Sequence, residues 1–281
     1  MKLGDIEVHA LLDGFFALDG GAMFGVVPRV VWQKKHPPDD RNRVRLALRT
    51  LLIRAGERIF LVDTGIGAKF PDKYRDMYGI EASTPGLPAA LEAIGLSVAS
   101  ITDVIVTHLH FDHAGGATTR RPDGTLEPTF PNARFHIQRS NWDWALNPND
   151  REKASYLREN FEPLHAAGRV DLLEGPCELA PGISVLVTDG HTRGQQMVRV
   201  TSGGRTVLYP GDLVPTASHL RTAWTMAYDI EPLKVMEEKS RLLTDAAAGG
   251  WVVCFEHDPT VAACTIKPDT GGFAILEQVE L

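Results

Sequence analysis

Several apolar runs in this chain stop at a histidine or an aspartate. Ile101–His108 (ITDVIVTH) does so, and so do Ile183–His191 (ISVLVTDGH), Arg205–Asp212 (RTVLYPGD) and Gly250–Asp258 (GWVVCFEHD). Short runs rich in β-branched residues, bounded by turn formers, read as buried strands. Strand ends deliver polar side chains to the rim of a sheet while the strand bodies stay dry. The pattern therefore constrains the chain to a sheet protein with one chemically loaded rim.

Other segments complete a coarse architecture. Leu48–Gly65 reads as two strands joined by a tight turn at Ala55, Gly56 and Glu57, and Gly86–Leu96 as a short amphipathic helix with Pro88 at its start and Gly95 at its end. Ala133–Leu146 passes from strand to helix, with Trp142 and Trp144 packing the helix start on the core. Gln33–Arg43 and Thr118–Asn132 read as polar surface loops, and Asn149–Asn160 as a solvated helix face. His9, His36, His136 and His165 lack ligand spacing and read as structural or exposed. With 281 residues, 43% of them hydrophobic, and no linker or repeat, residues 1–281 are expected to form a single domain.

Composition excludes some functions. A net charge of −7 argues against a nucleic-acid partner. No apolar stretch approaches the ~20 residues of a membrane helix, and the N-terminus scatters Asp5, Glu7 and Asp13 among its apolar residues, unlike a signal peptide. Three scattered cysteines (Cys177, Cys254, Cys264) make neither a disulfide framework nor a thiolate zinc site, and Cys254 reads as a small buried hydrophobe. A cytoplasmic location is expected.

The run Val106–Gly116 (VTHLHFDHAGG) carries the chemistry. His108 and His110, two apart in an extended segment, leave on the same face. Asp112 and His113 follow where the chain turns toward a helix, and Gly115–Gly116 allow close backbone approach. Imidazole nitrogen and carboxylate oxygen suit zinc and its borderline neighbours. With the later strand-end residues, these groups exceed what one tetrahedral ion uses, which points to two adjacent metals.

These residues resemble the metallo-β-lactamase superfamily. His108, His110, Asp112 and His113 match its signature motif, and His191, Asp212 and His257 match its later metal-binding positions in order. Asp63 in FLVDTGIG matches the aspartate that supports the site from behind the ligands. The likeness runs from about Ile6 to His257. It implies an α/β (α+β) fold, a four-layer αβ/βα sandwich of two mixed sheets with helices on the outer faces and the metals at one edge. It also implies that His108, His110 and His191 hold one ion, that Asp112, His113 and His257 hold a second, and that Asp212 bridges them. The cofactors implied are two divalent ions, zinc first, with manganese, cobalt or iron open. Such a pair, ~3.5–4 Å apart, turns a bridging water into hydroxide at neutral pH, which attacks a polarised carbonyl or phosphoryl centre. Asp112 is placed to ligate and to accept a proton.

Within the superfamily, the chain is most similar to the quorum-quenching N-acyl-homoserine lactonases and the methyl-parathion-hydrolase-like enzymes. Asp19–Arg29, Phe130–Ala145, Gly211–His219 and Phe255–Pro259 carry this likeness. It implies a small-molecule lactone or ester substrate, an acyl-chain lining from Met23 and Phe24, and a possible homodimer. Many of these lactonases carry a tyrosine three residues after the bridging aspartate; here Pro215 stands there, leaving His219 or Tyr228 to orient the substrate. The alternatives are an organophosphate or aryl-ester hydrolase on the same site, a mononuclear-iron oxidoreductase like the persulfide dioxygenases, and a silent metal-binding scaffold.

Overall fold

The computed structural model describes residues 1–81 and 86–281. The strands are β1 (Lys2–Leu3), β2 (Ile6–Asp19), β3 (Arg43–Ala55), β4 (Arg58–Val62), β5 (Asp103–Ile105), β6 (Thr118–Arg120), β7 (Leu126–Pro128), β8 (Arg134–Gln138), β9 (Val170–Leu173), β10 (Cys177–Ala180), β11 (Ile183–Thr188), β12 (Gln195–Ser202), β13 (Arg205–Tyr209), β14 (Val252–Cys254), β15 (Ala263–Asp269) and β16 (Gly272–Gln278). One sheet runs β1-β2-β3-β4-β5-β8-β9 and a second runs β10 to β16 in sequence order. Both are mixed: β4, β5, β8 and β9 pair in parallel in the first, and β13 with β14 in the second.

Strand periodicity explains the layers. In β3, β4 and β5 the residues Leu51, Ile53, Phe60, Val62 and Ile105 face one way, meeting Val207, Tyr209, Val252 and Cys254 of the second sheet. Their neighbours Leu52, Leu61 and Val104 face the other way, toward Leu87 and Leu91 of helix Gly86–Glu92 and Trp142 of helix Arg139–Leu146. Leu208 and Val253 likewise face helix Pro232–Gly249 through Val235, Leu243 and Ala246. Helix, sheet, sheet and helix are thus stacked in the order the sequence resemblance implies. Strands covered on both faces read as continuous apolar runs, which is why these segments stand out in the sequence. Burial of each large side chain contributes roughly 1.5–3 kcal/mol, so Phe60 and Tyr209 are principal anchors of the inter-sheet layer.

Two local readings are corrected. Thr118–Asn132, read as a loop, contains the β6–β7 hairpin, closed over Asp123 and Gly124. Asn149–Asn160, read as a solvated helix face, forms turns and a short 3₁₀ segment, with Glu152 and Tyr156 buried. Its charge pattern suits a helix, but Asn149 accepts backbone N–H groups of Arg151 and Glu152, a turn geometry that competes with helix. Among the described residues, no helix is long and apolar enough to cross a membrane.

Candidate metal centre

The singled-out polar residues sit just beyond the C-terminal ends of β4, β5, β11, β13 and β14. Asp63 leaves β4 with a left-handed backbone (φ 59°), and its carboxylate accepts the Thr107 amide and hydroxyl, both at 2.7 Å. This contact fixes the segment that carries His108 and His110. His110 then begins the one-turn helix Phe111–Ala114. A side chain on Gly115 or Gly116 would collide with the carbonyl oxygens of Ile66 and Thr64. That packing requires glycine at both positions.

The imidazole nitrogens and carboxylate oxygens converge in two sets with one carboxylate between them. His108 Nε2 and His191 Nε2 lie 3.0 and 3.4 Å from His110 Nδ1. Two nitrogens bound to one tetrahedral zinc are ~3.3 Å apart, given Zn–N bonds of ~2.0–2.1 Å. Asp112 Oδ1 lies 3.8 Å from His113 Nε2, and its Oδ2 lies 3.7 Å from His257 Nε2. Asp212 stands between the sets, with Oδ2 3.3 Å from His191 Nε2 and 3.5 Å from His113 Nε2, and Oδ1 3.2 Å from His257 Nε2. Buried in this cluster, His113 Nε2, His257 Nε2 and Asp212 Oδ1 have no hydrogen-bond partner. Buried polar atoms are ordinarily satisfied, so unpartnered donor atoms aimed at one another fit a divalent cation. Each set draws on both sheets: the motif after β5 supplies two ligands, and a loop of the second sheet supplies the third.

The far side of each ring is also held. His191 Nδ1 meets Asp229 Oδ1 at 2.8 Å, His257 Nδ1 donates to the Ala47 carbonyl at 2.8 Å, and His108 Nδ1 faces the Thr107 hydroxyl at 3.1 Å. His113 Nδ1 lies 3.2 Å from Asp63 and 3.0 Å from Glu256, and His110 Nε2 lies 3.6 Å from Glu152. Such outer contacts set the tautomer and strengthen each imidazole as a donor. Glu152 is held in turn by Thr192 and Trp144 at 2.6 and 2.7 Å.

Charge distribution divides the cluster. Burial, reinforced by neighbouring histidines, holds His108 well below the ordinary imidazole range, and burial also lowers His110, leaving both rings neutral with free lone pairs. Burial opposes the charged form of His257 as well, but Asp212 outweighs it and raises that ring to about 9. Burial raises Glu256 to about 7.

A cavity of about 270 Å³ opens above the cluster, with Asp112, His110, His191, Asp212 and His257 in its floor. Leu18, Met23, Phe111 and Met226 give it apolar walls, and Tyr78, Tyr228 and Arg151 add polar groups. Met23 therefore meets the cavity, whereas Phe24 stands behind it, stacked on Trp32 and His219 within the apolar cluster that also holds Met23, Phe111 and Met226. His219 does not reach the cavity wall. Its Nδ1 bonds the Thr216 hydroxyl at 2.8 Å and its Nε2 the Met23 carbonyl at 3.1 Å, and burial holds the ring down at about 3. Glu152, Asp229, Glu256 and Arg151 lie outside the residues singled out from sequence. Only the adjacency of Glu256 to His257 signals any of them in the chain.

A fold of two mixed sheets with this cluster at the strand ends defines a metallo-hydrolase-like scaffold, and the chain belongs to the metallo-β-lactamase superfamily, whose family model matches residues 49–257. A probable metal-dependent hydrolase from Staphylococcus aureus shares 31% identity with it, covers 100% of both chains and superposes with a TM-score of 0.90. A dizinc quorum-quenching lactonase shares the fold at 22% identity, with 100% and 97% coverage and a TM-score of 0.78. An N-acyl homoserine lactonase of Bacillus cereus is 27% identical over 57% of this chain and 60% of its own length. A probable metallo-hydrolase of Mycobacterium tuberculosis is 26% identical over 68% and 66%. The chain thus spans less than two thirds of these two curated relatives' length. Hydrolase is the class that all four names share, in agreement with the class read from the sequence.

Proposed function

We propose that this protein is a dinuclear metal-dependent hydrolase that opens lactones or related esters, with N-acyl-homoserine lactones as the first substrates to test. The observation that carries this reading is the pair of ligand sets sharing Asp212 beneath a cavity with apolar walls. His108, His110 and His191 hold one ion; Asp112, His113 and His257 hold the other; Asp212 serves both. Bound there, two divalent ions supply Lewis acidity and an activated water.

The remaining roles fall to this chain's own groups. Asp112, which reaches the cavity floor, accepts a proton and returns it to the leaving oxygen. Tyr228 is kept protonated, because burial pushes its hydroxyl above the usual range, and it donates a hydrogen bond to the substrate carbonyl. It takes the orienting role for which the sequence left His219 as the other choice. Met23, Leu18 and Met226 line the path of an acyl chain.

The test is acid release from N-acyl-homoserine lactones of increasing chain length, with protein reconstituted with zinc, manganese or cobalt and assayed for metal content. Two metals per chain with kcat/KM near ~10⁴ M⁻¹s⁻¹ or higher supports the reading. Two metals without lactone turnover removes the lactone and sends the assay to phosphotriesters and aryl esters. A single iron per chain in the protein as purified, before reconstitution, favours the oxidoreductase alternative.

A further inference from the structure

The chain has five tyrosines, and the fold uses their hydroxyls differently. Tyr156 Oη bonds the Thr192 hydroxyl at 2.6 Å, Tyr209 donates to the Arg49 carbonyl at 2.7 Å, and Tyr74 is exposed to solvent. Tyr78 and Tyr228 stand half-buried in the cavity wall, and among the described residues neither hydroxyl has a hydrogen-bond partner. Packing fixes Tyr78. It closes helix Asp72–Met77, donating its amide to the Tyr74 carbonyl at 2.9 Å, and its own carbonyl accepts the Ala17 amide at 2.7 Å. Its ring packs on Phe111 and Phe70, with centroids 4.8 and 5.6 Å apart. Phe111 lies between His110 and Asp112, so the ring rests on the segment that carries the proposed metal ligands. Burial first, then the Asp112 carboxylate, raises both cavity hydroxyls above the usual phenol range, and Tyr78 adds to the rise at Tyr228. The two hydroxyls and the Asp112 carboxylate thus lie close together, and both hydroxyls stay protonated donors.

We propose that Tyr78 is a specificity-determining residue whose hydroxyl donates to a second, uncharged acceptor of the substrate, so that the preferred lactone or ester carries an acylamino group on the carbon beside the carbonyl that is attacked. The inference rests on the hydrolase reading and names the residue that selects its substrate class. Tyr228 serves the attacked carbonyl in that reading, which leaves the Tyr78 hydroxyl for a neighbouring group. An acylamino substituent on the adjacent carbon brings its own carbonyl into the same space. That carbonyl needs a donor there, because Leu18, Met23 and Met226 offer none and an unpaired buried acceptor is costly. A neutral hydroxyl also suits a neutral acceptor. Ser155 brings another hydroxyl to the wall, but a short side chain swings between rotamers, whereas a packed ring aims its hydroxyl at one place.

Calorimetric titration of the zinc-loaded protein with two ring-opened acids reads this without turnover. One is N-hexanoyl-homoserine; the other is 2-heptyl-4-hydroxybutanoate, in which methylenes replace the amide. The second acid is the more apolar, so the informative quantity is the change in the ratio of the two Kd values between wild type and Y78F. Y78F keeps the packed ring and removes only a hydroxyl that bonds nothing in the chain, and an unchanged Tm confirms its fold. The advantage of the amide-bearing acid is expected to fall at least about fivefold in Y78F. An unmoved ratio overturns the proposal, including the case in which both acids weaken alike, as a merely structural role would have it. A ratio that moves in Y228F and not in Y78F overturns it too, as does failure of the wild-type protein to bind either acid. Turnover of N-hexanoyl-homoserine lactone is measured in parallel. Turnover with an unmoved ratio removes the Tyr78 role and leaves the hydrolase reading, and a moved ratio without turnover does the reverse.

Discussion

Asp229 joins a metal-site histidine to the cavity wall: its Oδ1 lies 2.8 Å from His191 Nδ1, and its Oδ2 accepts the Met226 amide at 2.8 Å. One carboxylate thus orients a proposed metal ligand and anchors the loop carrying Met226 and Tyr228. Asp229→Asn is expected to weaken zinc binding at least about tenfold, the scale on which such partners act. It should also raise KM for the substrate. Chelator competition and steady-state kinetics read the two effects, and an unchanged zinc affinity would refute the orienting role.

Asp212→Ala is expected to lose metal and activity together. Metal content by elemental analysis should fall below two ions per chain, because both ligand sets lose their shared oxygen. Full activity with two metals still bound would overturn the bridging assignment.

Metal uptake should depend on pH with a definite sign. His257, raised to about 9 by Asp212, is protonated below that pH, and its Nε2 must lose the proton before it can ligate. Apparent zinc affinity is therefore expected to rise about tenfold per pH unit for each proton displaced, from pH 6 toward pH 9. Titrations at several pH values, corrected for the protonation of the competing chelator, check this. A flat profile would exclude the displaced proton.

The two neighbours in the N-terminal segment should behave differently. Met23→Ala opens the cavity wall and is expected to raise KM more for long acyl chains than for short ones. Phe24→Ala removes a fully buried ring stacked on Trp32 and should cost about 3–5 kcal/mol of stability, seen as a lowered Tm. His219→Gln should leave kcat of the folded enzyme within about threefold, since the ring stands behind the wall. Loss of catalysis in a stable His219 variant would return it to the site.

Away from the centre, Asp103 links β5 to its parallel neighbours. Burial opposes its charge, but hydrogen bonds from His136, Arg58 and Thr102 outweigh burial and hold the carboxyl well below its usual range. A carboxylate depressed in the folded state stabilises above the unfolded pKa of about 3.9, and that stability is lost as pH falls through the folded value. Asp103→Asn should cost about 1–2 kcal/mol at pH 7, discounted because Arg58 is 41% exposed. The gap between variant and wild type should begin to narrow below about pH 4 in urea denaturation and shrink further as pH falls.

The fold was legible where strands are covered on both sides. Leu51–Ile53, Phe60–Val62 and Val252–Cys254 read as strands because both faces are apolar, and their terminal polar residues marked the rim. The grouping of strands into two facing mixed sheets came from resemblance, and their order within each sheet only from the structure, since pairing joins segments as distant as β5 and β8. The positions with ligand spacing were legible for the same local reason: His108, His110, Asp112 and His113 lie within six residues. Glu152 and Asp229 were not, because their roles depend on loops that only the folded chain brings to His110 and His191. Met23 and Phe24 are adjacent in sequence, and only tertiary packing decides which of them meets the cavity.

The division of each ligand set between the two sheets has a consequence for biogenesis. Neither half of the chain carries a complete set, so an ion has no finished berth until the second sheet has closed against the first. If the two sets hold metal as proposed, loading is then a late event in maturation, and the ion works as a rivet through the seam. A chain whose halves have failed to dock would announce itself by arriving empty.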